Sequence, residues 1–154
     1  MSYIFYAIFT YFFWAYIHEV SHLFMLERFA EVKSYTIRLY PHKHPTLGFV
    51  WASVSYEYDE TLTDREWAWV SFAPRFANAL VLPCALFLDI STTPWLFFLM
   101  GGIIDLIRGS TINRETADIR YYSKGFNIPL RSLISAQLVY ALCSLLALAQ
   151  RVWY

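Results

Sequence analysis

The run YIFYAIFTYFFWAYIHEVSHLFML, residues 3–26, constrains the fold more than any other stretch of the chain. It exceeds the roughly 20 residues needed to cross a bilayer as a helix. Yet His18, Glu19 and His22 stand inside it. Ionisable groups within an apolar helix are costly and demand a compensating partner. Any fold for this chain must supply, in an apolar setting, something that holds two imidazoles and a carboxylate within about one turn.

Composition extends the constraint. Hydrophobic residues make up 58% of the 154-residue chain, aromatics 20% and charged residues 16%, against roughly 45–50% apolar and about 25% charged in a typical soluble domain. Three further apolar segments follow, at about 67–88, 93–107 and 130–148. The second is interrupted by Pro74, Arg75, Asn78 and Pro83, and the third is short and ends in GGIIDLIRG. Such interruptions are tolerated at membrane depth where the backbone is buried in protein or lines a wet cavity. The fold expected from these patterns is one domain, 1–154: a mainly α membrane protein of about four transmembrane helices (3–26, 67–88, 93–107 and 130–148). No Lys or Arg precedes the first run and no small-residue cleavage site ends it, so it is expected to stay in the mature protein. Cys84 and Cys143 lie in apolar runs without a CxxC pair and read as packing residues. A formal net charge of zero offers no basic face for nucleic acid.

Charge placement gives a topology. Arg28, Lys33, Arg38, Lys43 and Arg65 lie between the first and second segments, and Arg108, Arg114, Arg120, Lys124 and Arg131 follow the third. The link DISTTP between the second and third carries neither Lys nor Arg. By the positive-inside rule both basic connections are expected in the cytoplasm and both termini on the other side. The expected product is a multi-pass integral membrane protein with His18–His22 near the cytoplasmic face. Within the first connection, KSYTIRLY (33–40) and LGFVWASVSYEY (47–58) flank the turn-rich PHKHPTLG, which predicts a cytoplasmic β-hairpin over about 33–58. Thr63 and Glu66 have the spacing of a capping box at the next helix.

His18-Glu19-Val20-Ser21-His22 is an HExxH sequence. On a helix, positions i and i+4 share a face, so both imidazoles can reach one Zn2+. Glu19 then points roughly 100° away from His18, where it can act as acid and base towards a water at the metal's open position. A catalytic zinc needs a third protein ligand, and Asp89, Asp105, Asp118, His42 and His44 are the candidates. His42 and His44 sit in a Pro-rich turn and read as solvated, Asp89 reads as a helix end, and Asp105 lies in an apolar segment where a functional role is the default.

The constellation resembles the site-2 protease family of intramembrane zinc metalloproteases and related small zincin-type membrane peptidases. The resemblance runs over most of the chain: HExxH at His18–His22, the hairpin, APRFAN with Pro74 and Asn78, and IDLIRGSTINRETADI. It implies that Asp118 is the third zinc ligand, with Asp105 as the alternative ligand or as a partner beside the site. It also implies that Pro74 and Asn78 serve substrate binding or support the site, and that Glu19 is the catalytic residue. The expected function is a zinc-dependent intramembrane endopeptidase that hydrolyses peptide bonds of membrane-anchored proteins. The hairpin edge would hold the substrate as an added strand. The alternative is a non-catalytic zinc-binding membrane protein with a structural or partner-binding role. Expected partners are a membrane-anchored protein substrate and the lipid bilayer, with a homodimer a further expectation because four spans enclose little.

Overall fold

The computed structural model describes residues 2–44, 48–87, 93–111 and 118–153, with backbone only at 2, 85–87, 108–111 and 151–153. In chain order these form α1 (Ser2–Leu26), β1 (Val32–Arg38), β2 (His42–His44), β3 (Gly48–Val50), β4 (Ser53–Tyr58), α2 (Asp64–Phe87), α3 (Thr93–Thr111), α4 (Asp118–Gly125) and α5 (Leu130–Trp153).

The four-span architecture expected from composition is corrected. Among the described residues one helix, Leu130–Gln150, is long and apolar enough to cross a membrane, and the apolar part of α3, Thr93–Ile107, is too short. The physical reasons lie in the other two segments. The Ile, Phe and Leu residues of α1 are diluted by Tyr3, Tyr6, Tyr11, Trp14 and Tyr16, amphipathic residues whose polar tips seek partners, and by the ionisable His18, Glu19 and His22. Helix α2 carries Asp64, Arg65, Glu66, Arg75 and Asn78 as well as two prolines. The multi-pass topology, with cytoplasmic connections and an active site at a cytoplasmic membrane face, falls with the four spans. Arg114 and most of the DISTTP link, Asp89 included, lie outside the described residues.

Between α1 and α2 the chain forms two nested ladders rather than a single hairpin. Strand β1 pairs antiparallel with β4, in register from Val32↔Tyr58 to Arg38↔Ser53 with an irregularity between Val32 and Ser34. Strand β2 pairs with β3 from His42↔Val50 to His44↔Gly48. Gly48 opens β3 at φ 73°, a left-handed conformation that glycine adopts without steric cost. Helix α2 starts with a reciprocal capping box. The Glu66 N–H donates to Thr63 Oγ1 (3.3 Å), and the Thr63 N–H donates to Glu66 Oε2 (2.7 Å), satisfying two otherwise orphaned donors.

Three apolar clusters hold the helices. Trp14 of α1, Leu82 of α2, Phe98, Leu99, Ile103 and Leu106 of α3, and Ala141 and Leu148 of α5 form the largest. Helix α3 approaches α1 closely because Gly101 and Gly102 lack side chains. A Cβ on Gly101 would lie 2.2 Å from Thr10 Cγ2, and one on Gly102 would lie 2.6 Å from Trp14 Cζ2. The same approach lets the Trp14 indole N–H donate to the Phe98 carbonyl at 2.8 Å. The second cluster, Leu26, Ala30 and Val70, seats the hairpin through Tyr56 and Tyr58. In the third, Ile119 and Tyr122 of α4 pack on Ala68 of α2. Helix α4 comes near enough that a Cβ on Gly125 would meet the Asp64 carbonyl at 2.2 Å. An ion pair between Lys124 and Asp64 at 2.9 Å lies beside it. Asn127, at φ 54°, then turns the chain towards α5; Asn is one of the few non-glycine residues at home there.

Candidate metal centre

Docking of α4 against α2 sets the first residue of α4, Asp118, opposite the C-terminal part of α1. There the two histidines of HEVSH stand one turn apart with ring centroids 5.2 Å from each other. Asp118 Oδ2 lies 3.4 Å from His18 Nε2 and 3.4 Å from His22 Nε2. One ligand atom from each of the three side chains lies within 4.8 Å of the other two. Among the described residues this is the group of His, Cys, Asp or Glu side chains that could hold a metal ion.

The far side of each ring is also tied down. His18 Nδ1 lies 3.2 Å from Asp105 Oδ1, and His22 Nδ1 lies 2.9 Å from the Val70 carbonyl oxygen. A carboxylate and a carbonyl only accept, so in both contacts the ring Nδ1–H is the donor. In a neutral imidazole that choice leaves Nε2 as a lone pair. Two such lone pairs then face a carboxylate oxygen, an arrangement that repels itself unless a proton or a metal cation lies among them. Two imidazole nitrogens and one carboxylate are a donor set suited to zinc. Rings oriented through their other nitrogen by a carboxylate or a backbone carbonyl are the usual support for histidine ligands.

Asp105 is itself held in place. The Arg75 guanidinium donates through Nη1 to Asp105 Oδ2 (3.1 Å) and to the Asp105 carbonyl (3.2 Å). The Asn78 amide donates to Asp105 Oδ2 (3.4 Å) and to the Gly102 carbonyl (3.0 Å). Arg75 and Asn78 are buried, at 6% and 1% exposure, so the Arg75–Asp105 pair works with little solvent screening. Electrostatics follow from this packing. Burial alone would lower the His18 pKa, but the charge and hydrogen bond of Asp105, with Asp118, raise it from 6.5 to about 10. Burial would raise Asp118, yet His22 and His18 hold its carboxyl well below the usual carboxylate range. The two shifts follow from carboxylates set against the histidine rings, Asp105 chiefly on His18 and Asp118 on both.

A cleft of 1160 Å³ opens over these residues. Its walls are α1, including His18, Glu19 and His22; β4 from Ser53 to Tyr56; and the apolar side of α3, including Leu96, Phe97 and Met100. Glu19 lines the same cleft as the histidines and is only 8% exposed. Strand β4 pairs with β1 along one edge. Burial, together with the nearby Asp118, pushes the Tyr56 phenol up, which keeps it a neutral hydrogen-bond donor on the cleft wall.

A scan against protein-family models and searches of curated proteins and of solved structures find no match. The site must be read from its own geometry.

The structure thus brings His18, His22 and Asp118 together, puts Glu19 beside them, and places Asp105 against the outer nitrogen of His18. Asn78 and Pro74 are not among the residues that line the cleft; Asn78 grips Asp105, and Pro74 is fully buried within α2. His42 and His44 do not join the metal-binding group. The His42 ring bridges the Tyr40 carbonyl (2.7 Å) and Ser53 Oγ (2.9 Å), while His44 lines the cleft. One participant escaped sequence reasoning, the Val70 carbonyl. A backbone acceptor leaves no trace in side-chain patterns.

Proposed function

We propose that this chain is a zinc-dependent hydrolase of peptide bonds. The observation that carries the reading is the convergence of His18 Nε2, His22 Nε2 and one oxygen of Asp118. Both rings are turned the right way by acceptors at Nδ1. These three residues would hold Zn2+. When bound, zinc supplies Lewis acidity that brings the pKa of a water towards about 7 and polarises a carbonyl.

The chain's own groups account for the rest. Glu19, on the helix turn that carries the histidines and buried in the same cleft, takes a proton from the attacking water and delivers it to the leaving amine. Asp105, clamped by Arg75 and Asn78, fixes the His18 ring and offsets part of the positive charge on that side. The cleft is large enough for an extended polypeptide segment. Strand β4 gives that segment a backbone edge to pair with, and the apolar side of α3 receives its side chains. The chemistry expected from the resemblance to site-2 proteases is retained in this reading; their multi-span architecture is not.

The test is hydrolysis of internally quenched peptides by zinc-loaded parent and by Glu19→Gln. Cleavage by the parent, lost on chelation and in Glu19→Gln while zinc is retained, supports the reading. Zinc bound by both with no cleavage by the parent across a diverse peptide set would favour the non-catalytic alternative.

A further inference from the structure

Helix α2 runs unbroken from Asp64 to Phe87 although Pro74 and Pro83 lie inside it. A proline within a helix has no N–H to give to the carbonyl four residues earlier, and its ring crowds that carbonyl aside. For Pro74 the carbonyl in question belongs to Val70. That same oxygen lies 2.9 Å from His22 Nδ1, and Val70 is 1% exposed, so no solvent competes for it. An interior proline is costly to a helix, and here the carbonyl it leaves unclaimed is the one that meets a ring of HEVSH. Pro83 provides the contrast, since among the described residues no histidine of the site meets the carbonyl it frees, on Ala79.

From this we infer that Pro74 is a positioning residue for the metal centre. By keeping the Val70 carbonyl out of the helical hydrogen-bond ladder, it reserves that oxygen for His22 Nδ1–H. The ring is thereby held with Nε2 towards Asp118. The inference rests on the zinc reading for its purpose, but the bond itself belongs to the protein alone. It also gives Pro74 a role that does not require contact with substrate, in keeping with its burial away from the cleft. With Asp105 on His18, each ring then has its own dedicated acceptor, one from a side chain and one from a proline-freed backbone.

The experiment uses the full chain labelled with 15N and 13C. In the parent, a scalar coupling across the hydrogen bond from His22 Nδ1–H to the Val70 carbonyl carbon is expected, in metal-free and zinc-loaded protein alike. In Pro74→Ala, the restored N–H competes for the oxygen. The coupling then weakens or vanishes, and the zinc Kd rises about 10-fold or more, the usual scale for losing a ligand's outer partner. Pro83→Ala changes neither. An unchanged coupling and Kd in Pro74→Ala overturn the inference, even if its Tm shifts. A parent without the coupling overturns it too, and that result needs no variant to fold. A parent that shows the coupling but takes up no zinc sinks the proposed hydrolase while supporting the Val70–His22 bond.

Discussion

At the scale of single residues, the HEVSH side chains divide the work by the direction in which they point. His18 and His22 share a helix face and converge on Asp118, whereas Glu19 faces the cleft without joining that contact. Glu19→Gln is therefore expected to keep zinc and to lower the rate of peptide hydrolysis roughly 10²–10⁴-fold, the usual worth of a general acid–base; single-turnover assays at matched zinc content measure it. Asp105→Asn is expected to weaken zinc binding about 10–100-fold, read by competition with a chelating dye. Asp118→Asn, which alters a ligand itself, should weaken it further. Equal effects of the two would mean that Asp105 is a ligand rather than a support for His18. The spacing of the histidines was legible in the sequence because helix geometry is local. The approach of Asp118, far along the chain, was not written in any local pattern. It depends on α4 seating on α2, and only the resemblance pointed there.

At the scale of elements, that seating is the hinge of the account. Gly125 allows it, because a Cβ there would meet the Asp64 backbone at 2.2 Å. Gly125→Ala should push α4 off α2 and move Asp118 with it. The expected cost is about 1–3 kcal/mol of stability, as for other overpacked contacts, together with weaker zinc binding. Denaturation and metal titration of the same sample test both. The capping box of α2 makes a separate prediction. Thr63 hydrogen bonds hold the Glu66 pKa below its ordinary 4.5. A depressed carboxylate contributes stability above the unfolded-state pKa and loses it as pH falls through the folded-state value. The stability gap between parent and Glu66→Gln should accordingly be full near neutrality and close in acid. This cap was legible because Thr63 and Glu66 are three residues apart. The nested β2–β3 ladder was not, since His42–His44 and Gly48–Val50 are too short to show alternation.

At the scale of the whole molecule, composition misled because apolar content does not say where apolar surface goes. Part of it fills the α1–α3–α5 core around Trp14, Phe98 and Ile103. Part of it stays exposed, as at Phe5, Phe9 and Val139, and part lines the cleft. Hydropathy summed along a segment cannot separate these fates, and so four runs suggested four spans where, among the described residues, one helix has the length and apolarity for it. The cleft itself joins α1, β4 and α3 and had no sequence signature. If it is the substrate channel, Ala15→Trp, on its wall one turn before His18, should raise KM or abolish cleavage while zinc content stays at the parental value. A variant that cleaves normally would mean that substrate enters elsewhere.

The most direct check on the central claim is the zinc content of the purified chain and of Glu19→Gln, His22→Ala and Asp118→Asn, each dialysed against the same zinc buffer. The convergent His18–His22–Asp118 geometry predicts about one zinc per chain in the parent and in Glu19→Gln, with little retained by the other two. A parent that holds no zinc after exposure to the metal would contradict the metal centre and the function built on it.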